Sequence, residues 1–188
     1  MKPANIRIAL LAIATTASLF SCQTGDDPIP VPVEQELVTT VKLIVTNNSG
    51  FNKTFTYKVE NGFGTTTPGT IVKDELVVGP DKEYNLEVQL LNEKKTPVEN
   101  ITEEVISESN DHLFIYQSAP ASLLSFSNGN KDAANNPFNQ RITLKTATAG
   151  AGELTLTLKH NPTNKNATSP DAAGGETDVE AKFTVRVQ

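Results

Sequence analysis

The sequence contains no tryptophan, a single cysteine and only two histidines in 188 residues. One cysteine excludes a disulfide within the chain, so the inter-sheet disulfide of antibody domains cannot form. The tryptophan that packs against that disulfide is missing as well. Basic residues are also scarce, since 16 Lys and Arg stand against 22 Asp and Glu, for a net charge of −6. This balance argues against nucleic acid as a partner. No apolar run reaches the roughly 20 residues that a membrane-spanning helix needs.

Signatures of catalysis are missing as well. The sequence has no GxSxG elbow, no glycine-rich phosphate loop and no HExxH pair. Glu103 and Glu104 are paired carboxylates, but adjacent residues on a helix point in different directions, as on a solvated face. We therefore expect a binding or structural protein and not an enzyme.

A short apolar segment at residues 8–20 follows the basic residues Lys2 and Arg7. A charged start, a short apolar core and a small residue at the break are typical of a secretory signal peptide. The sequence therefore predicts a signal peptide over residues 1–21.

The predicted break falls directly before Cys22. LFSC at residues 19–22 resembles the bacterial lipobox, in which the cysteine is diacylated and becomes the new first residue. Residues 22–36 contain prolines at 28, 30 and 32, which favour an extended tether. We expect lipidation of Cys22 to attach the chain to outer-membrane lipid, on the cell surface or the periplasmic face.

Alternation with a period of two dominates the sequence from residue 36 onward. Alternation is typical of antiparallel strands with one face in a core and the other in water. The sequence therefore predicts an all-β fold over 37–188, an antiparallel β-sandwich of the Ig-like type. The five clearest strand segments are 36–48, 53–60, 83–93, 153–160 and 178–188, and weaker ones are 71–78, 113–117, 122–126 and 140–147.

One segment, NITEEVISES at residues 100–109, departs from this pattern. Asn100 followed by Glu103 has the spacing of a capping box, and the apolar residues Ile101 and Val105 lie one turn apart. We predict a short helical segment here that leads into the strand beginning at His112.

The two histidines are the candidate metal ligands. His160 ends the 153–160 segment on its apolar side, and His112 follows Glu108 and Asp111 closely. If the two strand ends are neighbours, two imidazoles and a carboxylate could meet in a site suited to zinc, copper or iron. A carboxylate could instead hydrogen-bond to an imidazole that binds the metal, without binding the metal itself, which would orient that ring. In the simplest alternative, each histidine caps the end of a strand and satisfies backbone groups. The carboxylates then only solvate a helix and raise the pKa of His112 by proximity.

The acidic stretch also belongs to a wider resemblance. Residues 90–117, 156–162 and 174–185 resemble small Bacteroidota lipoproteins with an ITEEV-like stretch before a histidine and a GETDV-like last strand. The resemblance implies fold and compartment rather than chemistry. Where those proteins often show a DxDxNG calcium loop, residues 130–137 keep only Asp132, and one carboxylate does not suffice for Ca²⁺.

Two classes of function follow from these features. One is an accessory lipoprotein that holds a transition metal, such as zinc, or a metal complex such as haem for an outer-membrane transporter. The other is a structural or adhesion module that binds protein or glycan without a small ligand.

Replacing Cys22 with serine tests the predicted anchor. Since two acyl chains hold a protein firmly at a membrane, the Cys22→Ser chain should move from the membrane fraction to the soluble fraction. Fractionation after a high-salt wash measures this. A variant that stays with the membrane would show that the attachment lies elsewhere.

Overall fold

The computed structural model describes residues 37–188, so the predicted signal peptide, Cys22 and the tether lie outside the described residues. Over the described part, strands dominate and form two sheets, as predicted for an all-β sandwich. The strands are β1 (Thr40–Thr46), β2 (Asn52–Val59), β3 (Ile71–Lys73), β4 (Leu76–Val78), β5 (Glu83–Asn92), β6 (Glu99–Asn100), β7 (His112–Ala119), β8 (Leu124–Ser127), β9 (Arg141–Thr146), β10 (Gly150–His160) and β11 (Glu176–Val187). The helices are α1 (Ile101–Ser107) and α2 (Pro170–Ala173).

The two sheets differ in size. The first has seven strands in the order β3-β2-β1-β5-β9-β8, with the short β6 also paired to β5. The second has four strands in the order β4-β11-β10-β7. Neighbouring strands are antiparallel except β4 and β11, which run parallel. The last strand, β11, is therefore an inner strand of its sheet.

Both sheets contribute to one hydrophobic core, because each inner strand buries alternate side chains. On β10 the inward residues are Leu154, Leu156 and Leu158, which are at most 1% exposed. On β11 the same period holds from Val179 to Val187. The alternation in the sequence thus identified the buried face of these strands correctly.

The weak strand predicted over 71–78 is in fact two strands in different sheets. β3 pairs with β2 at the edge of the first sheet, whereas β4 pairs with β11 in the second. Asp74 lies at the crossing, where its backbone and its carboxylate both bond to Thr56. Period alone cannot show such a crossing, because the alternation continues on both sides of it.

The predicted helical segment exists as α1, followed by a 3-10 turn at Ser109–Asp111. Its capping box does not form, because the Asn100 amide donates to the Glu103 carboxylate, 2.9 Å away, and the Asn100 side chain caps no backbone N–H. α1 instead packs through Ile101 and Val105, which belong to the main core. No helix within residues 37–188 combines the length and apolar character needed to cross a membrane.

A second, smaller apolar cluster covers the outer face of the four-stranded sheet. Leu113 and Ile115 of β7 pack there with Ala173 of α2 and the partly buried Ala167. β7 is therefore buried on both faces, which explains why LFIY, at residues 113–116, is a continuous apolar run instead of an alternation. The segment 161–175 that supplies this cover has little regular structure and was not predicted.

Truncation of Phe183 tests the assignment of the core. Its ring is fully buried and meets the ring of Tyr57 edge-on, with 5.5 Å between centroids. Phe183→Ala should therefore lower the free energy of unfolding by about 3–5 kcal/mol in urea titration. Thr184→Ala, at the exposed position next to it, should cost less than about 1 kcal/mol. Equal losses in the two variants would contradict this assignment of buried and exposed faces.

Candidate metal centre

The pairing of β7 with β10 brings the two histidines together. His112 and His160 are directly opposite each other in the antiparallel register. Their rings stack with 4.8 Å between centroids and 15° between planes. Residues 48 positions apart in the sequence thus become neighbours at the end of the sandwich, on the inward side of both strands.

The third member of the group is Asp178 of β11. One Asp178 oxygen, Oδ2, lies 3.8 Å from Nε2 of His112. The potential ligand atoms of His112, His160 and Asp178 all lie within 4.8 Å of one another. Among residues 37–188, these three side chains form the one group of this kind.

An irregularity in β11 directs the Asp178 carboxylate toward the two histidines. Leu158 pairs with Val179, but the next residue, Lys159, pairs with Thr177, so Asp178 is an extra residue on β11. Simple alternation would place Asp178 on the face opposite to Val179, away from the core. A β-bulge re-aims a side chain in this way.

Two contacts hold the bulge in place. The buried ammonium group of Lys159 donates to the Gly175 carbonyl at 3.0 Å and to Thr177 Oγ1 at 2.9 Å. Gly175 has a φ of +65°, and a Cβ there would lie 2.3 Å from the His160 carbonyl oxygen. A glycine is therefore required for β11 to begin so close to the end of β10.

A backbone carbonyl orients the His112 ring. Nδ1 of His112 lies 3.0 Å from the carbonyl oxygen of Glu108, which can only accept, so Nδ1–H is the donor. In the neutral ring this leaves the lone pair on Nε2, the nitrogen nearest Asp178. Such outer contacts commonly fix the tautomer of a metal-binding histidine.

His112 is buried, and this sets its protonation. Burial lowers the pKa of His112 below its ordinary value, and the nearby His160 acts in the same direction. The hydrogen bond to the Glu108 carbonyl and the negative charges of Asp178 and Glu108 oppose the change without reversing it. The expectation that the acidic run would raise this pKa is therefore wrong, because burial disfavours the charged form more than those groups favour it. Neutral imidazole is the form that binds metals.

The two carboxylates proposed from the sequence do not join the group. Glu108 and Asp111 are exposed, and Glu108 contributes its backbone carbonyl instead of its side chain. Asp111 ends the 3-10 turn directly before the extended His112, where consecutive side chains diverge. Asp178 was missed because alternation in the last strand assigns it to the outer face. Its one signal was its place in the GETDV stretch.

The geometry of this group needs one rearrangement before it can hold an ion. Zinc bonds of about 2.0–2.2 Å place tetrahedral ligand atoms roughly 3.3 Å apart, slightly closer than the 3.8 Å between His112 and Asp178. Since the stacked rings are nearly parallel, one ion cannot lie in both planes. His160 is partly exposed at the end of its strand, so its ring is the one that can turn. Two imidazoles and a carboxylate then suit zinc or another transition metal.

The turn over residues 130–137 has a different chemistry. Asp132 is buried there and accepts from the Lys165 ammonium at 2.6 Å and from the backbone N–H of Asn136 at 2.8 Å. Burial acts to raise the pKa of Asp132, but these hydrogen bonds lower it below its ordinary value. Lys165 also donates to the carbonyl of Ser109 at 2.6 Å. The one carboxylate of the turn therefore binds a lysine of the same chain.

Comparison of the chain with family models, curated proteins and solved structures gives no significant match.

The lowered pKa of His112 predicts how stability depends on pH. Between the folded pKa and the unfolded value of about 6.5, the unfolded chain binds more protons, so the free energy of unfolding rises with pH. Metal-free protein should therefore lose stability as the pH falls below about 6.5. Urea titrations in a chelator measure this, and His112→Gln should flatten the profile. Profiles of equal slope for the two proteins would contradict the account.

Proposed function

We propose that this chain is a lipid-anchored, non-catalytic binding module of a bacterial outer membrane that holds a transition metal ion, zinc first among them. The observation that supports it is the approach of His112, His160 and Asp178 to within 4.8 Å. The lipobox-like sequence before Cys22 supports attachment to lipid. In this role the module would serve an outer-membrane transporter as an accessory protein.

The chemistry of the group favours a metal over a purely structural contact. Two imidazoles and one carboxylate are a common donor set for zinc and related ions. The ring of His112 is held by the Glu108 carbonyl with Nε2 toward the centre of the group. Its lowered pKa keeps the ring neutral at pH 7, so metal binding there need not displace a proton.

The position of the group suits reversible binding. It lies at the ends of β7 and β10 and near the start of β11, outside the main core. His160 is partly exposed and the Asp178 side chain is 10% exposed, so an ion can enter from solvent on the His160 side. Removing the ion would leave the hydrophobic core intact, as expected for a module that must release what it binds.

Thermal unfolding with zinc tests the proposal. Protein purified without a histidine tag and treated with chelator should melt higher as zinc is added. At 100 times Kd, a ligand that binds only the folded state adds about 2.7 kcal/mol, or roughly 5–10 °C for a domain of this size. His160→Ala and Asp178→Asn should each remove most of that rise.

Carboxylates outside the group provide matched controls. Asp111→Asn and Glu108→Gln remove exposed charges close to His112 in the sequence and should keep the full zinc response. A response that survives both His160→Ala and Asp178→Asn would show adventitious binding at the surface. The adhesion or structural function would then replace this proposal.

A further inference from the structure

We infer that the ion held by His112, His160 and Asp178 keeps an open coordination position toward solvent, which takes a small anionic ligand. The ligand class is a small anion or the carboxylate of an organic chelator. The protein would then bind a metal complex and not only a bare ion. This inference rests on the proposed function, because it concerns the same ion.

The number of ligands is the first argument. Structural zinc sites have four protein ligands, whereas sites that exchange a water or a substrate have three. Among residues 37–188, the group contains three residues that could hold an ion. Glu176 is a candidate for a fourth position, since it pairs with His160 across the strands. Its side chain is exposed and lies outside the group.

The burial of the three residues gives the direction of the open position. His112 is 4% exposed and is fixed from behind by the Glu108 carbonyl. The Asp178 side chain is 10% exposed, whereas His160 is partly exposed and ends β10. An ion bound between them therefore has protein on the His112 side and water on the other. A water bound there can exchange with an incoming ligand.

Charge selects the class of that ligand. A divalent ion with two neutral imidazoles and one carboxylate has a net charge of about +1. An anion that replaces the bound water neutralises this charge, so anions should bind in preference to neutral donors. No covalent bond of the protein changes in this exchange, in which water leaves and the anion enters.

Cobalt substitution with azide as the probe tests the open position. Co²⁺ in a zinc-like site absorbs visible light, and its spectrum depends on the number and kind of ligands. The experiment uses the full chain with Cys22→Ser, so that no thiolate can bind the ion. Azide should shift the Co²⁺ spectrum and saturate. The shift should be lost in His160→Ala and kept in Glu176→Gln.

The outcomes separate this inference from the proposed function. If neither Co²⁺ nor zinc binds to the group, both fail together. If Co²⁺ binds but azide leaves its spectrum unchanged, this inference alone is overturned. A change of the spectrum in Glu176→Gln would then identify Glu176 as the residue that closes the site. If azide shifts the Co²⁺ spectrum equally in His160→Ala, the Co²⁺ that binds azide lies outside this group. That result would also overturn the inference.

Discussion

The register of β10 against its two neighbours is the constraint on which both the core and the candidate metal centre depend. Leu154, Leu156 and Leu158 are buried between the sheets because this register places them there. A slip by one residue would move all three to the opposite face. The same slip would separate His160 from His112. The register that buries the leucines therefore also places His160 opposite His112, without any further ordering of the chain.

The centre forms where the regularity of the sheet ends. Asp178 reaches the histidines because the pairing of β10 and β11 shifts at Leu158 and Lys159. The buried Lys159 ammonium, bonded to Gly175 and Thr177, stabilises this shift from the outer face. A perfectly regular β11 would have directed the Asp178 carboxylate away from His112. The local departure from ideal geometry thus determines the chemistry of the site.

Two buried polar sites in this chain show why negative charge alone does not identify a cation site. Asp132 is buried and ionised, but its partner is the ammonium of Lys165 at 2.6 Å. That pair fastens the segment 161–175 to the 130–137 turn and to the Ser109 carbonyl. At His112 the carboxylate instead faces two imidazoles, and the three side chains offer ligand atoms for one ion. The difference lies in which side chains the fold brings near each carboxylate.

The sequence by itself determined most of the strands, the buried face of the strands that alternate, and the two histidines as candidate ligands. It could do so because alternation, helix spacing and residue type are local properties, and burial of alternate apolar residues is the dominant stabilising term. Only the tertiary structure decided which strands pair, that residues 71–78 divide between two sheets, and that Asp178 replaces Glu108 and Asp111 beside the histidines. Strand register, the β-bulge and the burial of His112 depend on contacts between residues distant in the chain. No local pattern reports such contacts, because the same alternation fits many pairings.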